Sequence, residues 1–203
     1  MDLFGINLGD FIRTVGYFGI FGIIFAESGL LIGLFLPGDS LLFTAGIVSS
    51  QGHLNIAILI AVSFAGAVLG DNFGYRFGRR WGPKIFTRNE SLFFHKDYLE
   101  RARVFYERHG GIAVMLARFI PFIRTFAPIL AGVGNMPYAS FLFYNIFGGA
   151  IWAIGVPLLG YYLGRVIPDI DRYLIPLVLA IVVVSLMPTT FSLFKSIIKH
   201  ERE

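Results

Sequence analysis

The chain has 203 residues, of which 56% are hydrophobic and 15% charged; its formal net charge is +4 and it contains no cysteine. A soluble protein of this length needs a mostly polar outer surface, which this composition cannot supply, so we expect a single membrane domain. The lack of cysteine excludes disulfides, thiolate catalysis and cysteine-ligated metals.

The first predicted element covers residues 1–16. This segment carries acidic side chains and lacks the basic leader and small-residue cleavage site of a removable signal peptide. Its apolar residues recur at helical spacing, which predicts an interfacial helix lying on the membrane surface. These residues are Leu3, Phe4, Leu8, Phe11, Ile12 and Val15.

Two apolar stretches, 17–49 and 112–133, are each interrupted by a proline with ionisable residues nearby. The interruptions contain Glu27, Pro37, Gly38 and Asp39 in the first stretch, and Arg118, Pro121 and Arg124 in the second. The pattern predicts two re-entrant helical hairpins, whose irregular tips lie at membrane depth only when buried in protein or facing water. For the longer first stretch, a spanning helix over 17–36 is the alternative.

Three stretches without Asp, Glu, Lys or Arg each have room for a spanning helix of about 20 residues. We place transmembrane helices at 54–75, 139–163 and 173–195. Residues 76–110 concentrate basic side chains, as in a cytoplasmic loop under the positive-inside rule, and 90–108 read as an amphipathic surface helix. Interleaved acidic residues and the lack of a recognition motif argue against nucleic-acid binding.

A repeat relates the two halves of the chain. The tripeptides at 45–47 and 131–133 are each followed, at the same distance, by a Gly-Tyr-x-x-Gly-Arg motif, at 74–79 and 160–165. If 76–110 is cytoplasmic, the two units have opposite orientations and the C-terminus is cytoplasmic. The predicted fold is an all-α polytopic membrane protein. It is an inverted repeat of re-entrant helical hairpin plus transmembrane helix, with a further C-terminal transmembrane helix and interfacial amphipathic helices.

The candidate functional residues are four ionisable side chains at the predicted breaks: Glu27, Asp39, Arg118 and Arg124. A charge at the bilayer centre costs roughly 2.5–3.5 kcal/mol on insertion scales, so residues that carry one are retained for pairing or for function. Arginine forks onto phosphate or carboxylate, which suits lipid-phosphate binding. The acids suit proton coupling or gating. An ion pair that only clamps the hairpins together is the alternative.

Other motif residues receive structural roles. Asp71 is expected to pair with Arg79 or another basic residue, Asn145 to make an interhelical hydrogen bond, and Trp152 to pack. Close packing or interfacial anchoring is expected for Gly70, Gly74, Tyr75, Gly78 and Gly132. No Gly-x-Ser-x-Gly, His-Glu-x-x-His or phosphate-loop motif occurs, and the histidines lack metal-ligand spacing. We therefore predict no enzyme activity, metal or cofactor.

In combination these motifs resemble the DedA family, also called the SNARE-associated or VTT-domain family, from about Gly16 to Arg165. The resemblance implies two facing re-entrant hairpins in a bacterial inner membrane. It also implies lipid movement between leaflets, including that of undecaprenyl phosphate, with links to the proton motive force in some members. The essential acids and arginines of the family fall on Glu27, Asp39, Arg118 and Arg124, and Asp39 stands where several members have Glu.

The leading functional hypothesis is a flippase- or scramblase-like translocase for an anionic lipid phosphate, such as undecaprenyl phosphate or a phospholipid. In this hypothesis Arg118 and Arg124 bind the phosphate, while Glu27 and Asp39 couple protons or gate the path. The alternatives are a proton-coupled small-solute transporter or antiporter supporting envelope homeostasis, and a non-transporting membrane assembly factor. Expected partners are membrane lipids and protons, and the small-residue face at Gly66 and Gly70 would also allow a homo-oligomer.

Overall fold

The computed structural model describes residues 2–3, 6–30, 38–85, 104–106, 108–120 and 123–166. A short antiparallel pair of strands, β1 (Asp2–Leu3) and β2 (Ile6–Asn7), precedes the helices. The helices are α1 (Leu8–Gly29), α2 (Gly38–Ser50), α3 (Ile56–Ile85), α4 (Ile112–Ala117), α5 (Ile123–Val133) and α6 (Tyr138–Val166). The helical class predicted from the sequence is therefore confirmed for these residues.

Helix α1 differs from its prediction. It begins at Leu8 and continues without a break to Gly29, so the separate interfacial helix over 1–16 is wrong. Apolar residues continue past residue 16 and no proline interrupts them, so nothing ends the helix there. Helix α2 begins at Gly38, beside the predicted first break. Residues 31–37, with Pro37, lie outside the described residues.

Helices α3 and α6 are long and apolar enough to cross a membrane, over Ile56–Gly82 and Tyr138–Val166. Helix α3 continues past the predicted end at residue 75 to Ile85, because its arginines favour helix and no proline intervenes before Pro83. Large apolar side chains on both helices are exposed, as a lipid-facing surface requires: Leu69, Phe73, Phe143, Phe147, Ile151 and Leu159. The predicted span 173–195 and most of the loop helix at 90–108 lie outside the described residues.

The second predicted break separates two short helices, α4 and α5. At a rise of about 1.5 Å per residue, neither is long enough to cross a bilayer alone. The interruption falls at residues 118–122, where Arg118 and Phe119 form a turn, and Pro121 lies outside the described residues. A broken segment is thus present where the sequence predicted one, and its re-entrance into the membrane stays a prediction.

Glycines allow the helices of the two halves to approach closely. Gly78 of α3 lies against the carbonyl of Ile129 in α5, and Gly160 of α6 lies against the carbonyl of Phe43 in α2. Phe43 and Ile129 occupy equivalent positions of the sequence repeat. Helix α2 of the first half therefore packs on α6 of the second half, and α5 of the second half packs on α3 of the first.

Candidate functional site

Two buried arginines organise the centre of the molecule. Arg118 lies in the turn after α4, and Arg124 lies in the first turn of α5. Both side chains are 7% exposed. A guanidinium has five donors in a fixed fork, so burial requires several acceptors arranged around it. The two sets of acceptors differ in composition and in exposure.

Arg118 is held by a carboxylate and an amide. It forms an ion pair with Asp71 of α3 and donates a hydrogen bond of 2.6 Å to Oδ1 of Asn145 in α6. Asn145 in turn donates from Nδ2 to the carbonyl of Val68 at 3.2 Å. Asp71 is also 7% exposed, so this cluster is enclosed by protein, and it joins α3, α6 and the turn after α4.

Arg124 is held by two carboxylates. It forms an ion pair with Glu27, from the last turn of α1, and donates from Nη1 to Oδ1 of Asp39 at 2.6 Å. The Glu27 side chain is 8% exposed, whereas that of Asp39 is 42% exposed. One carboxylate of this centre is therefore enclosed, and the other is open on one side.

Trp152 of α6 completes the Arg124 centre. Its indole Nε1 donates to Oδ1 of Asp39 at 2.8 Å, and its ring centroid lies 5.0 Å from Cζ of Arg124. That distance is within the range of a cation–π contact. Packing was the role predicted for Trp152; the side chain is buried, but it also binds the carboxylate of Asp39 directly.

Gly38 is required beside Glu27. A Cβ at position 38 would overlap Oε2 of Glu27, so only glycine lets the carboxylate lie against the start of α2. Among the described residues, this Oε2 atom has no hydrogen-bond partner. Glu27 is therefore fixed mainly by its ion pair with Arg124 and by close packing against α2.

The two centres share a small cavity. Its walls include Arg118, Arg124, Asp71 and Ser28, with Val114 and Pro128 as the apolar lining. The two ion-paired centres together contain three carboxylates and two guanidinium groups, so they carry one excess negative charge when every group is ionised. Uptake of one proton or departure of one carboxylate would balance this charge.

A separate tyrosine cluster supports α3 and α5 away from the cavity. Tyr75 donates from its hydroxyl to the carbonyl of Met136, and Arg79 donates to the Tyr75 hydroxyl at 3.0 Å. Tyr106 donates to the carbonyl of Ala127 at 2.9 Å. Burial raises the pKa of Tyr106, which keeps it protonated as a donor. Arg79 thus contacts a tyrosine. Asp71 was expected to pair with Arg79 or another basic residue, and its partner in the structure is Arg118.

Sequence reasoning identified the four ionisable residues and the interhelical role of Asn145. It gave Asp71 a position at the end of the first span, whereas Asp71 lies in the middle of α3, because that helix is longer than predicted. It missed the hydrogen bond from Trp152. The residues around a tryptophan in an apolar helix do not indicate that it binds a carboxylate 113 residues away in the chain. The roles predicted for the four residues in lipid binding and proton coupling stay predictions.

Comparison with known proteins defines the family. Residues 36–162 match the VTT domain. The chain is 39% identical to Protein DedA of Escherichia coli K12 over 202 residues, covering 97% of this chain and 90% of that protein. An uncharacterised membrane protein of Mycobacterium leprae is 45% identical over 166 residues, 82% of this chain and 74% of the relative. Inner membrane protein YghB of Escherichia coli K12 is 35% identical over 191 residues, 91% and 87% of the two chains. No solved structure matches significantly.

The matched region carries most of the site. Asp39, Arg118, Arg124 and Trp152 lie within the VTT domain, and Glu27 precedes it but falls inside the longer alignment with DedA. The domain match covers more than half of the chain, and two of the relatives are membrane proteins by name. The chain therefore belongs to the DedA family of VTT-domain membrane proteins.

Proposed function

We propose that this protein is a lipid translocase of the bacterial cytoplasmic (inner) membrane that moves an anionic lipid phosphate between leaflets. One observation carries the proposal: two buried arginines from one broken helical segment line the same cavity between α3 and α5. Arginine keeps its charge and binds phosphate through paired N–H donors, so the site matches the head group of such a lipid.

The surface beside the site supports a lipid substrate. On α5, Arg124 faces the interior, whereas Ile123, Phe126 and Leu130 are exposed. A polar head group could therefore bind inside while its acyl or prenyl tail remains in the surrounding hydrocarbon on the other face of the same helix.

The acids supply a means of coupling to protons. A phosphate that binds Arg124 competes with Glu27 and Asp39 for the same donors, so at least one carboxylate has to withdraw or become protonated. Release of that proton on the other side would link lipid movement to the proton motive force. The relative YghB is named an inner membrane protein, which agrees with a membrane that maintains such a gradient.

Leaflet exchange in proteoliposomes tests the proposal. A fluorescent phosphatidate and the corresponding diacylglycerol are compared, with and without a pH gradient, for the wild type and Arg118→Ala. We expect protein-dependent exchange of the phosphatidate, lost in the variant, and an effect of the gradient on its rate. Exchange equal to that of empty liposomes, by inserted and folded protein, would refute lipid translocation, and solute-dependent proton flux would then support the small-solute transporter.

A further inference from the structure

We propose that Arg124 and Trp152 form one anion-binding site that the carboxylate of Asp39 now occupies, and that the lipid phosphate binds by displacing Asp39. This inference rests on the proposed function and assigns its binding site. Asp39 then acts as an internal competitor for the substrate, and Trp152 becomes a substrate-binding residue.

The geometry of the donors supports a built anion site. Nη1 of Arg124 and Nε1 of Trp152 both donate to one oxygen, Oδ1 of Asp39, at 2.6 and 2.8 Å. The two donors come from α5 and α6, and both side chains are buried. The cation–π contact between them fixes their relative position without help from the carboxylate. Withdrawal of Asp39 would therefore leave two convergent donors already in place.

Exposure identifies Asp39 as the carboxylate that leaves. Its side chain is 42% exposed, against 8% for Glu27 and 7% for Asp71. Withdrawal of an enclosed carboxylate would move a charged group through the protein interior away from its partner, at a large cost. Asp39 stands in the first turn of α2 with its side chain partly open, so it can turn outwards without crossing the protein interior.

The number of anionic partners is conserved in this exchange. The lipid phosphate replaces one carboxylate, so Arg124 keeps two anionic partners before and after displacement, and a phosphomonoester such as phosphatidate brings at least the one negative charge that Asp39 carries. A phosphate also offers several acceptor oxygens, which allows Arg124 and Trp152 to bind different atoms instead of sharing one. Glu27 remains in place throughout and holds Arg124 in its orientation.

Trp152 provides a direct probe of the site, because the chain has only one other tryptophan, Trp81. In a Trp81→Phe protein in detergent micelles, a short-chain phosphatidate should change the emission of Trp152 in a saturable manner, and the matching diacylglycerol should not. Asp39→Asn in this background keeps the size of the side chain but removes the competing charge. We expect it to tighten phosphatidate binding by roughly tenfold, within the usual range for coupled sites.

Three controls make the test decisive. Glu27→Gln should not tighten phosphatidate binding, because Glu27 does not occupy the anion site. Trp152→Phe, measured with a fluorescent phosphatidate, should weaken binding while circular dichroism shows unchanged helix content. Inorganic phosphate is titrated in parallel, and a response to it without one to phosphatidate would overturn a lipid occupant.

Unchanged or weaker phosphatidate binding in Asp39→Asn, with helix content preserved, would overturn the proposal, and so would unchanged binding in Trp152→Phe. Both results are obtained without a transport assay. Tighter binding in Asp39→Asn together with absent leaflet exchange in the wild type would support the anion site and refute translocation. Failure of the site and failure of the proposed function are therefore distinguishable.

Discussion

The two arginines differ in how their charge is compensated. Arg118 is bound by one carboxylate and one amide, both enclosed by protein. Arg124 is bound by two carboxylates, of which Asp39 is partly exposed. A buried charge that loses its partner is destabilised strongly, while a charge near an opening can be rescued by water or a ligand. Substitutions at the two centres should therefore affect stability to different extents.

Removal of Asp71 tests the ion pair between Asp71 and Arg118. Asp71→Leu leaves the guanidinium of Arg118 without its carboxylate, so we expect a loss of about 3–5 kcal/mol in the free energy of unfolding. The double variant Asp71→Leu/Arg118→Leu should recover a large part of this loss, because no uncompensated charge remains. Equilibrium unfolding in mixed detergent micelles measures both. A double variant no more stable than the single one would show that the two charges are not coupled.

The sequence indicated which residues carry charge inside the protein, but not how they pair. Glu27, Asp39, Arg118 and Arg124 stand out because an apolar stretch has no ordinary use for them. Pairing depends on which helices touch. Asp71 and Arg118 are 47 residues apart and belong to α3 and the turn after α4, so their contact follows from the packing of the helices and from no local pattern.

Between elements, the contacts depend on glycine at particular positions of long helices. Gly160 in α6 lies against the backbone of α2, whereas a Cβ at Gly155 in the same helix would meet open space. These two positions offer a matched comparison, because they share the same helix and the same change in helix propensity. Only their contact with a neighbouring helix differs.

Gly160→Ala should lower stability by about 1–3 kcal/mol, because the added methyl overlaps the carbonyl of Phe43 and forces α2 and α6 apart. Gly155→Ala should be neutral or raise stability by up to about 1 kcal/mol, since alanine favours helix over glycine. Thermal unfolding in detergent compares the two variants with the wild type. Equal effects at both positions would contradict the close approach of α2 and α6.

The types of the helices could be predicted more reliably than their ends. The apolar run in α6 predicted its bounds to within three residues, because Pro137 precedes it and polar residues follow. Helices α1 and α3 extend beyond their predicted bounds. Arginine and apolar residues both favour helix, and no proline stands at the predicted ends. Membrane depth, which set the predicted limits, does not itself terminate a helix.

For the whole molecule, the predicted inverted repeat determines which parts of the chain face each side of the membrane. If the two halves have opposite orientations, the loop after α2 and the turn after α5 lie on different sides of the membrane. The contacts of α2 with α6 and of α5 with α3 are of the same kind, which agrees with two related halves. The positive-inside rule predicts the orientation of each half relative to the bilayer.

Single cysteines test this orientation without background, because the natural chain has no cysteine. His53→Cys precedes α3 and Ala139→Cys begins α6; both positions are exposed. In intact cells, an impermeant maleimide should label position 53, whereas position 139 should react only after permeabilisation. Val166→Cys, at the other end of α6, should behave like His53→Cys. Labelling of 53 and 139 from the same side would refute the inverted repeat.

Translocation that depends on Arg124 is the central claim, and leaflet exchange of a labelled phosphatidate in proteoliposomes tests it most directly. Arg124→Ala is compared with Arg165→Ala, which removes an exposed arginine that lies over the ring of Tyr161 at the end of α6. With equal insertion and helix content, Arg124→Ala should fall to the rate of empty vesicles and Arg165→Ala should keep the wild-type rate. Wild-type exchange by Arg124→Ala would contradict the account.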